Sequence, residues 1–301
     1  MTQRLHPGVT MESRLSYAAP TTVQEAVAIL AGASGAARIL AGGTDLLVQL
    51  RSGRSRPELI VDIKRIPGTL GIREADGRFV ISAATPCAVI GEHRGLRAAW
   101  PGVVEAACLI GSTQIQGRAS LGGNLCNASP AADGVPALIA ARATCLVAGP
   151  DGRREVPVDA IPTGPGHTSL ARGELILELH LPRRPPRSGD AYLRFIPRTE
   201  MDIAVAGAAV NATLDASGVC TEARVVLGAV APTAILVPDG GAALVGRRPD
   251  EDALRRLDAA ARRACHPIDD KRGTIDFRIK VAGVLARRAA GIALARAGGR
   301  G

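Results

Sequence analysis

Aromatic side chains are almost missing from this sequence: one Trp, two Tyr and three Phe amount to 2% of its 301 residues. A core built without them must rely on Ala, Val, Leu and Ile, and the 47% apolar content is ample for two or three domains at this length. Lysine is equally rare. Lys64, Lys271 and Lys280 are the only three among 37 basic residues, the rest being Arg. The net charge of +9 raises nucleic acid as a ligand, but the arginines are scattered, with pairs near the C-terminus (Arg247–Arg248, Arg262–Arg263, Arg287–Arg288), and no rings interleave with them. A nucleic-acid face clusters its charge or adds stacking rings. The pattern here reads as solvated surface, with room for a basic patch toward a protein or an anionic ligand.

Long apolar runs are absent too. The longest nearly uncharged stretch, around Ile203 to Val210, is far too short for a bilayer, so no membrane span is expected. The first twenty residues lack the continuous apolar segment of a secretory signal, and a cytoplasmic location is expected. Among Cys87, Cys108, Cys126, Cys145, Cys220 and Cys265 no two lie within four residues, so there is no CxxC pair to seed zinc or an iron–sulfur cluster. They are expected to be reduced and mostly buried. His6, His93, His167, His180 and His266 have no ligand-like spacing. Neither a metal site nor a catalytic dyad or triad is predicted.

What is present alternates in texture. Beyond a loose tail over residues 1–13, "TTVQEAVAILA" predicts a helix with Thr22 and Glu25 as a capping box and Val23, Ala26, Val27 and Leu30 on one face. "ARIL" reads as a buried strand, "DLLVQLRSG" as a short helix ending at Gly53 and "ELIVDI" as a strand, together a small α/β unit with parallel pairing. From Gly68 the pattern turns antiparallel. "GIREADGRFVISAAT" is a hairpin turning at Asp76–Gly77, residues 88–110 give one or two helices, and a short helix covers Val135 to Ala140. "TCLVAGPDGRREVPV" turns at Asp151–Gly152 and "ELILELHLP" alternates like a strand. Leu181 to Asp190 is the best linker, and beyond it come strands with a turn at Ala216 to Gly218 and two helices, "DEDALRRLDAAARRAC" and "IDFRIKVAGVLARRAAGIAL".

Two diglycine segments carry the functional argument. In "ILAGGTDLLVQL" a strand stops at Gly42–Gly43 and a helix starts at Thr44 and Asp45; in "ASLGGNLCNASPAAD" a second pair, Gly122–Gly123, is flanked by Ser120 and Asn124. A pyrophosphate needs several close hydrogen-bond donors, and backbone N–H groups at a helix start supply them where no Cβ blocks the approach. Neither segment fits GxGxxG or GxxxxGK[ST], which disfavours a Rossmann domain or an NTPase. A single diglycine before a helix serves equally as a tight turn. Asp133 is suited to a ribose hydroxyl or to capping the helix that starts near Gly134.

"AGGTDLL" (41–47) and "ASLGGNLCNASPAAD" (119–133) resemble the two FAD-binding motifs of the flavin-binding medium subunits and domains of molybdenum hydroxylases, the carbon monoxide dehydrogenase and xanthine dehydrogenase family. "AYLRFIPRTEMDIAVAGAAV" (191–210) and "VVLGAVAPTA" (225–234) match further blocks in the same order, so the resemblance spans roughly Arg14 to Leu294. It implies an α+β chain: an FAD-binding fold of the vanillyl-alcohol-oxidase type in two sub-domains, 14–66 and 67–182, and a C-terminal domain of the CO dehydrogenase flavoprotein type, 190–297. It implies that Leu40, Ala41, Gly42, Gly43, Thr44, Asp45, Leu46 and Leu47 wrap the FAD pyrophosphate from one side, with Ser120, Gly122, Gly123 and Asn124 on the other. By the same resemblance Asp133 holds the adenosine side and Ile176 contacts the adenine through its backbone. Arg194 stands where relatives often carry a lysine near the isoalloxazine, and Ile110 where some place an aromatic against the ring. Guanidinium and ammonium are not interchangeable, and an aliphatic can pack on a flavin but not stack.

The family's division of labour follows. A large molybdopterin subunit oxidises the substrate, a small subunit with two 2Fe–2S clusters relays electrons, and this subunit passes them through FAD to an external acceptor, NAD or a quinone-like carrier, in a heterohexamer. Two rivals remain: a stand-alone flavin oxidoreductase, whose best acid/base candidates are His167 (expected in a loop) and His180 (expected on an exposed strand), and a non-enzymatic subunit that has lost its flavin. Intact glycines in both segments argue against loss.

Overall fold

The computed structural model describes residues 15–299, so the tail expected over residues 1–13 lies outside the described residues. Strands β1 (Ser16–Ala18), β2 (Ala37–Leu40) and β3 (Leu59–Asp62) form a parallel sheet in the order β1-β3-β2, interleaved with helices α1 (Val23–Gly32) and α2 (Leu46–Arg51). The parallel pairing expected from alternating strand and helix is present. Thr22 caps α1 by accepting from the Glu25 N–H at 3.1 Å, while Glu25 reaches back to the Thr21 N–H rather than to that of Thr22, one residue off the usual box. Ala26 and Leu30 are buried beneath the sheet. The expectation that "ARIL" is buried needs correction: β2 is an edge strand, half-exposed because Ala37, Arg38 and Ile39 face an open cleft.

The middle region is built on a five-stranded antiparallel sheet in the order β4-β5-β10-β6-β7. Its strands are β4 (Ile72–Ala75), β5 (Arg78–Ser82), β6 (Thr144–Gly149), β7 (Gly152–Pro157) and β10 (Leu175–Leu181), with β8 (Pro162–Gly164) and β9 (His167–Thr168) forming a separate ribbon. Asp76 and Gly77 both take positive φ (53° and 72°), the conformation a two-residue hairpin with matching twist demands. In the second hairpin Gly149 pairs with Gly152, so the turn residues are Pro150 and Asp151, one position earlier than expected. Three helices rather than one or two fill residues 87–108: α3 (Cys87–Glu92), α4 (Arg94–Ala99) and α5 (Pro101–Cys108). His93 Nδ1 accepts from the Leu96 N–H at 3.0 Å and starts α4, and Pro101 starts α5 where its missing N–H costs nothing. Short helices α6 (Thr113–Gln116), α7 (Leu121–Cys126) and α8 (Gly134–Ala140) follow.

The C-terminal region pairs an antiparallel sheet, β11 (Ser188–Phe195), β12 (Ala206–Leu214), β13 (Cys220–Gly228) and β14 (Ile235–Leu236), with α9 (Pro238–Ala242), α10 (Glu251–Ala264) and α11 (Ile275–Ala297). Helix α10 has Asp250 as N-cap, acids in its first turn, Arg262 and Arg263 in its last, and Ala253, Leu257, Ala260 and Ala261 as its buried stripe. The scarcity of large side chains shapes the packing here: α11 buries Ala282, Ala286, Ala289, Ala290 and Ala293, which lets it lie directly on β11. A Cβ on Gly189 would overlap the Ala293 carbonyl oxygen and lie 2.6 Å from the Ala297 nitrogen.

The linker is shorter than expected, since β10 runs to Leu181 and β11 begins at Ser188. It is also pinned. Arg184 lies 4.4 Å above the ring of the buried Trp100 and pairs with Asp190 at 2.6 Å. Glu105 on α5 accepts from the Tyr192 N–H at 3.1 Å and pairs with Arg296 on α11.

Candidate functional site

The two diglycine segments meet. A Cβ on Gly42 would overlap the Arg118 carbonyl oxygen and lie 3.1 Å from the Ala119 nitrogen, so the first loop rests on the backbone that leads into the second motif. The two adjacent glycines are needed for different reasons: Gly42 for this approach, Gly43 for its φ of +78°. Leu40 and Leu47 pack beneath Gly43, their Cδ1 atoms 2.8 and 3.4 Å from where its Cβ would be. The second segment is not a loop, as expected, but the first turn of α7. Ser120 caps it by accepting from the Gly123 N–H at 3.1 Å, and Gly122 is fixed against Ala83, whose Cα would lie 2.9 Å from its Cβ. Among the described residues no acceptor meets the N–H groups of Gly42, Gly43, Thr44 and Asp45, nor that of Gly122; the Leu121 N–H is taken up by the bridge that pairs Ser120 with Pro86. Unsatisfied donors from both segments thus stand at one junction, four from the first and Gly122 from the second.

A cleft of about 510 Å³ opens from this junction, within the usual range of ligand sites. Ala41, Asp45, Leu46, Gly122, Gly123 and Ile176 line it; Gly42, Gly43, Thr44, Ile110, Ser120 and Asn124 line its smaller extension beneath the loops. Burial raises the Asp45 carboxyl above its ordinary range. Sequence reasoning missed Gln49, whose Nε2 donates to Asn127 Oδ1 at 2.8 Å and ties α2 to the end of α7 across the cleft. Its position four residues after Asp45, on the same helix face, was the available signal. Cys126 also lines the cleft, and burial pushes its thiol up to about 12, so it contributes a neutral surface.

Leu40, Leu47, Asp133 and Arg194 do not line the cleft. Asp133 precedes α8 but does not cap it: the Gly134 N–H goes to Asn124 Oδ1 at 3.0 Å. The carboxylate instead accepts from the Tyr192 hydroxyl at 2.8 Å and from Arg194 Nη1 at 2.6 Å. The alternative of Arg194 as a surface residue is therefore excluded; its side chain is 6% exposed. Burial outweighs the attraction of Arg194 and raises the Asp133 carboxyl to about 6, and it lifts the Tyr192 phenol well above its ordinary value. His167 lies on β9 rather than in a loop, with Nδ1 2.9 Å from the Pro165 oxygen. His180 is largely buried rather than exposed, its Nε2 2.8 Å from Glu178. Neither faces the cleft.

The glycine cradle and its donors fit a diphosphate-bridged dinucleotide, and comparison with known proteins agrees. Residues 11–184 match the FAD-binding domain of molybdopterin dehydrogenases, and residues 191–293 the C-terminal domain of CO dehydrogenase flavoproteins. The carbon monoxide dehydrogenase medium chain of Hydrogenophaga pseudoflava is 35% identical over 94% of this chain and 98% of its own. A xanthine dehydrogenase FAD-binding subunit of Escherichia coli is 31% identical over 95% and 98%. The solved structure of the Hydrogenophaga pseudoflava carbon monoxide dehydrogenase lacking the Mo-pyranopterin moiety superimposes with a TM-score of 0.90 at 35% identity, covering 94% of this chain and 98% of that one. The fold and site thus define an oxidoreductase subunit whose cofactor is FAD. The chain belongs to the FAD-binding medium-subunit family of the molybdenum hydroxylases. No helix among the described residues is long and apolar enough to cross a membrane.

Proposed function

We propose that the cleft holds FAD with its pyrophosphate between residues 40–47 and the start of α7, and that the chain relays electrons within a three-subunit molybdenum hydroxylase. The observation that carries this reading is the backbone contact of Gly42 with Arg118, which puts unsatisfied N–H donors of both segments beside one cleft. Leu40 and Leu47 support the loop from beneath; Ala41 to Leu46, Ser120, Gly122, Gly123 and Asn124 surround the phosphates. The Asp45 carboxylate repels phosphate, so its partner in this reading is a cofactor hydroxyl. The Ile176 backbone meets the adenine, and Ile110 covers apolar surface without stacking.

Asp133 and Arg194 act here as a pair. Where relatives often carry a lysine near the isoalloxazine, Arg194 is paired with Asp133 at 2.6 Å and brings no net charge while Asp133 is ionised. Both side chains are buried away from the cleft, so in this reading the pair ties β11 to the start of α8 rather than touching the cofactor.

FAD supplies one- and two-electron redox chemistry when bound. In this reading the chain's own part is to bind and orient, with electrons arriving from a small subunit carrying two 2Fe–2S clusters, fed by a large molybdopterin subunit, and leaving to an external NAD or quinone-like acceptor. The names of the relatives, medium chains and FAD-binding subunits of dehydrogenases, support it. So does a cleft that among the described residues is lined by neither His167 nor His180, the acid/base candidates of a stand-alone oxidoreductase. The sub-domains 14–66, 67–182 and 190–297, a cytoplasmic location and a heterohexameric assembly complete the proposal. The test is to mix the FAD-loaded chain with its dithionite-reduced iron–sulfur partner subunit. Bleaching of the flavin absorbance is expected; a flavin that stays oxidised contradicts the relay.

A further inference from the structure

Lys64 is one of three lysines in the chain, and it lies in the single 3-10 turn after β3, Ile63–Arg65. Its Nζ donates to the Ala41 carbonyl at 2.8 Å and to Asp62 Oδ1 at 2.7 Å. Asp62 Oδ1 also accepts from the Lys64 backbone N–H at 3.0 Å, and Asp62 Oδ2 accepts from the Tyr17 hydroxyl on β1 at 2.9 Å. All three strands of the N-terminal sheet are therefore connected, through Tyr17, Asp62 and Lys64, to the residue just before Gly42.

That connection has a directional consequence. A trans peptide is planar, so its C=O and the next N–H point in opposite directions. With the Ala41 carbonyl held by the ammonium, the Gly42 N–H is turned away from Lys64, and it has no acceptor among the described residues. The geometry points to Lys64 as a positioning residue for the FAD pyrophosphate: it fixes the Ala41–Gly42 peptide so that the first loop presents its N–H donors to the anion. This inference rests on the reading of the cleft as the FAD site and deepens it.

Charge alone is the competing explanation, and the neighbours argue against it. Partial burial works against the ionised form of Asp62, but hydrogen bonds from Lys64 and Tyr17 outweigh it and hold the carboxyl below its ordinary range. Asp62 is therefore ionised at neutral pH, and it neutralises Lys64 at 2.7 Å. What such a pair can give an anion is a fixed peptide rather than a net positive field.

The two explanations differ in sign. In the flavin-stripped full-length chain, Lys64→Met is expected to weaken binding of FAD and of ADP, which carries the diphosphate without the flavin, by the same roughly ten- to hundredfold. Asp62→Asn frees the ammonium from its clamp while removing a negative charge. Positioning predicts weaker FAD binding in that variant, and attraction by charge predicts tighter. Lys64→Met binding FAD as the wild type does, or Asp62→Asn binding it more tightly, overturns the role assigned to Lys64 and leaves the cleft as the FAD site. Wild-type chain that is folded and fails to bind FAD overturns both. If Lys64→Met does not fold, the sign of the Asp62→Asn effect decides.

Discussion

Replacing Gly42 by Ala adds one carbon at the point where the two motifs touch, and the consequence can be worked out from the backbone. The new Cβ would overlap the Arg118 carbonyl oxygen and sit 2.6 Å from its carbonyl carbon. The obstacle is main chain on both sides, with no flexible side-chain end to swing away, so the loop and the start of α7 must part by about 1 Å or more. Overpacking of that kind costs about 1–3 kcal/mol of stability. The loss in cofactor affinity is expected to be larger, because N–H groups from both sides must reach one pyrophosphate and hydrogen bonds to charged groups are each worth about 1.5–3 kcal/mol. Losing two gives a hundredfold or greater rise in Kd for FAD, at least about 2.7 kcal/mol. Isothermal calorimetry on folded, flavin-stripped protein measures it, with a thermal melt alongside. Gly32→Ala is the control, since nothing lies within 4 Å of a Cβ there. A Gly42→Ala protein that binds FAD within threefold of wild type refutes the reasoning.

Asp133 gives a pH prediction. Its carboxyl is raised to about 6 in the fold, so the stability it contributes when protonated is complete below about pH 4, the unfolded value, and is lost as the pH rises through about 6. Urea melts should therefore show Asp133→Asn gaining on wild type by up to about 3 kcal/mol between pH 4 and pH 7, and a difference independent of pH contradicts the burial argument. In the C-terminal region, Gly189→Ala should cost about 1–3 kcal/mol, because its Cβ would push against the backbone of α11. A melt within about 0.5 kcal/mol of wild type would mean that the close approach of α11 to β11 is not needed.

Elements whose causes are local were legible in the sequence. The Thr22 cap, the Asp76–Gly77 turn and the helical pattern of α10 depend on residues within a few positions of one another, and each stands where it was expected. The diglycine segments were legible as a pair, but their contact was not, because nothing local connects Gly42 to Arg118. Asp133 illustrates the limit most clearly. Its position ahead of α8 suggested a cap, yet its partners Tyr192 and Arg194 are 59 and 61 residues away and reach it only because β11 packs against the middle region. Lys64 was passed over for the same reason: its bond to the Ala41 carbonyl spans 23 residues, and no residue pattern records a side chain returning to a loop. The strand "ARIL" was misread because an edge strand facing a cleft has the same composition as a buried one.

The central claim is that the two glycine segments grip a pyrophosphate, and FMN, which has a single phosphate and no adenosine, is the ligand that tests it. Flavin-stripped full-length chain titrated in a calorimeter with FAD and, separately, with FMN should bind one FAD per chain and bind FMN at least about a hundredfold more weakly, a gap of about 2.7 kcal/mol. Equal affinity for the two flavins would contradict the account, because it would place the recognition on the ring and leave the contact of Gly42 with Arg118 without a role.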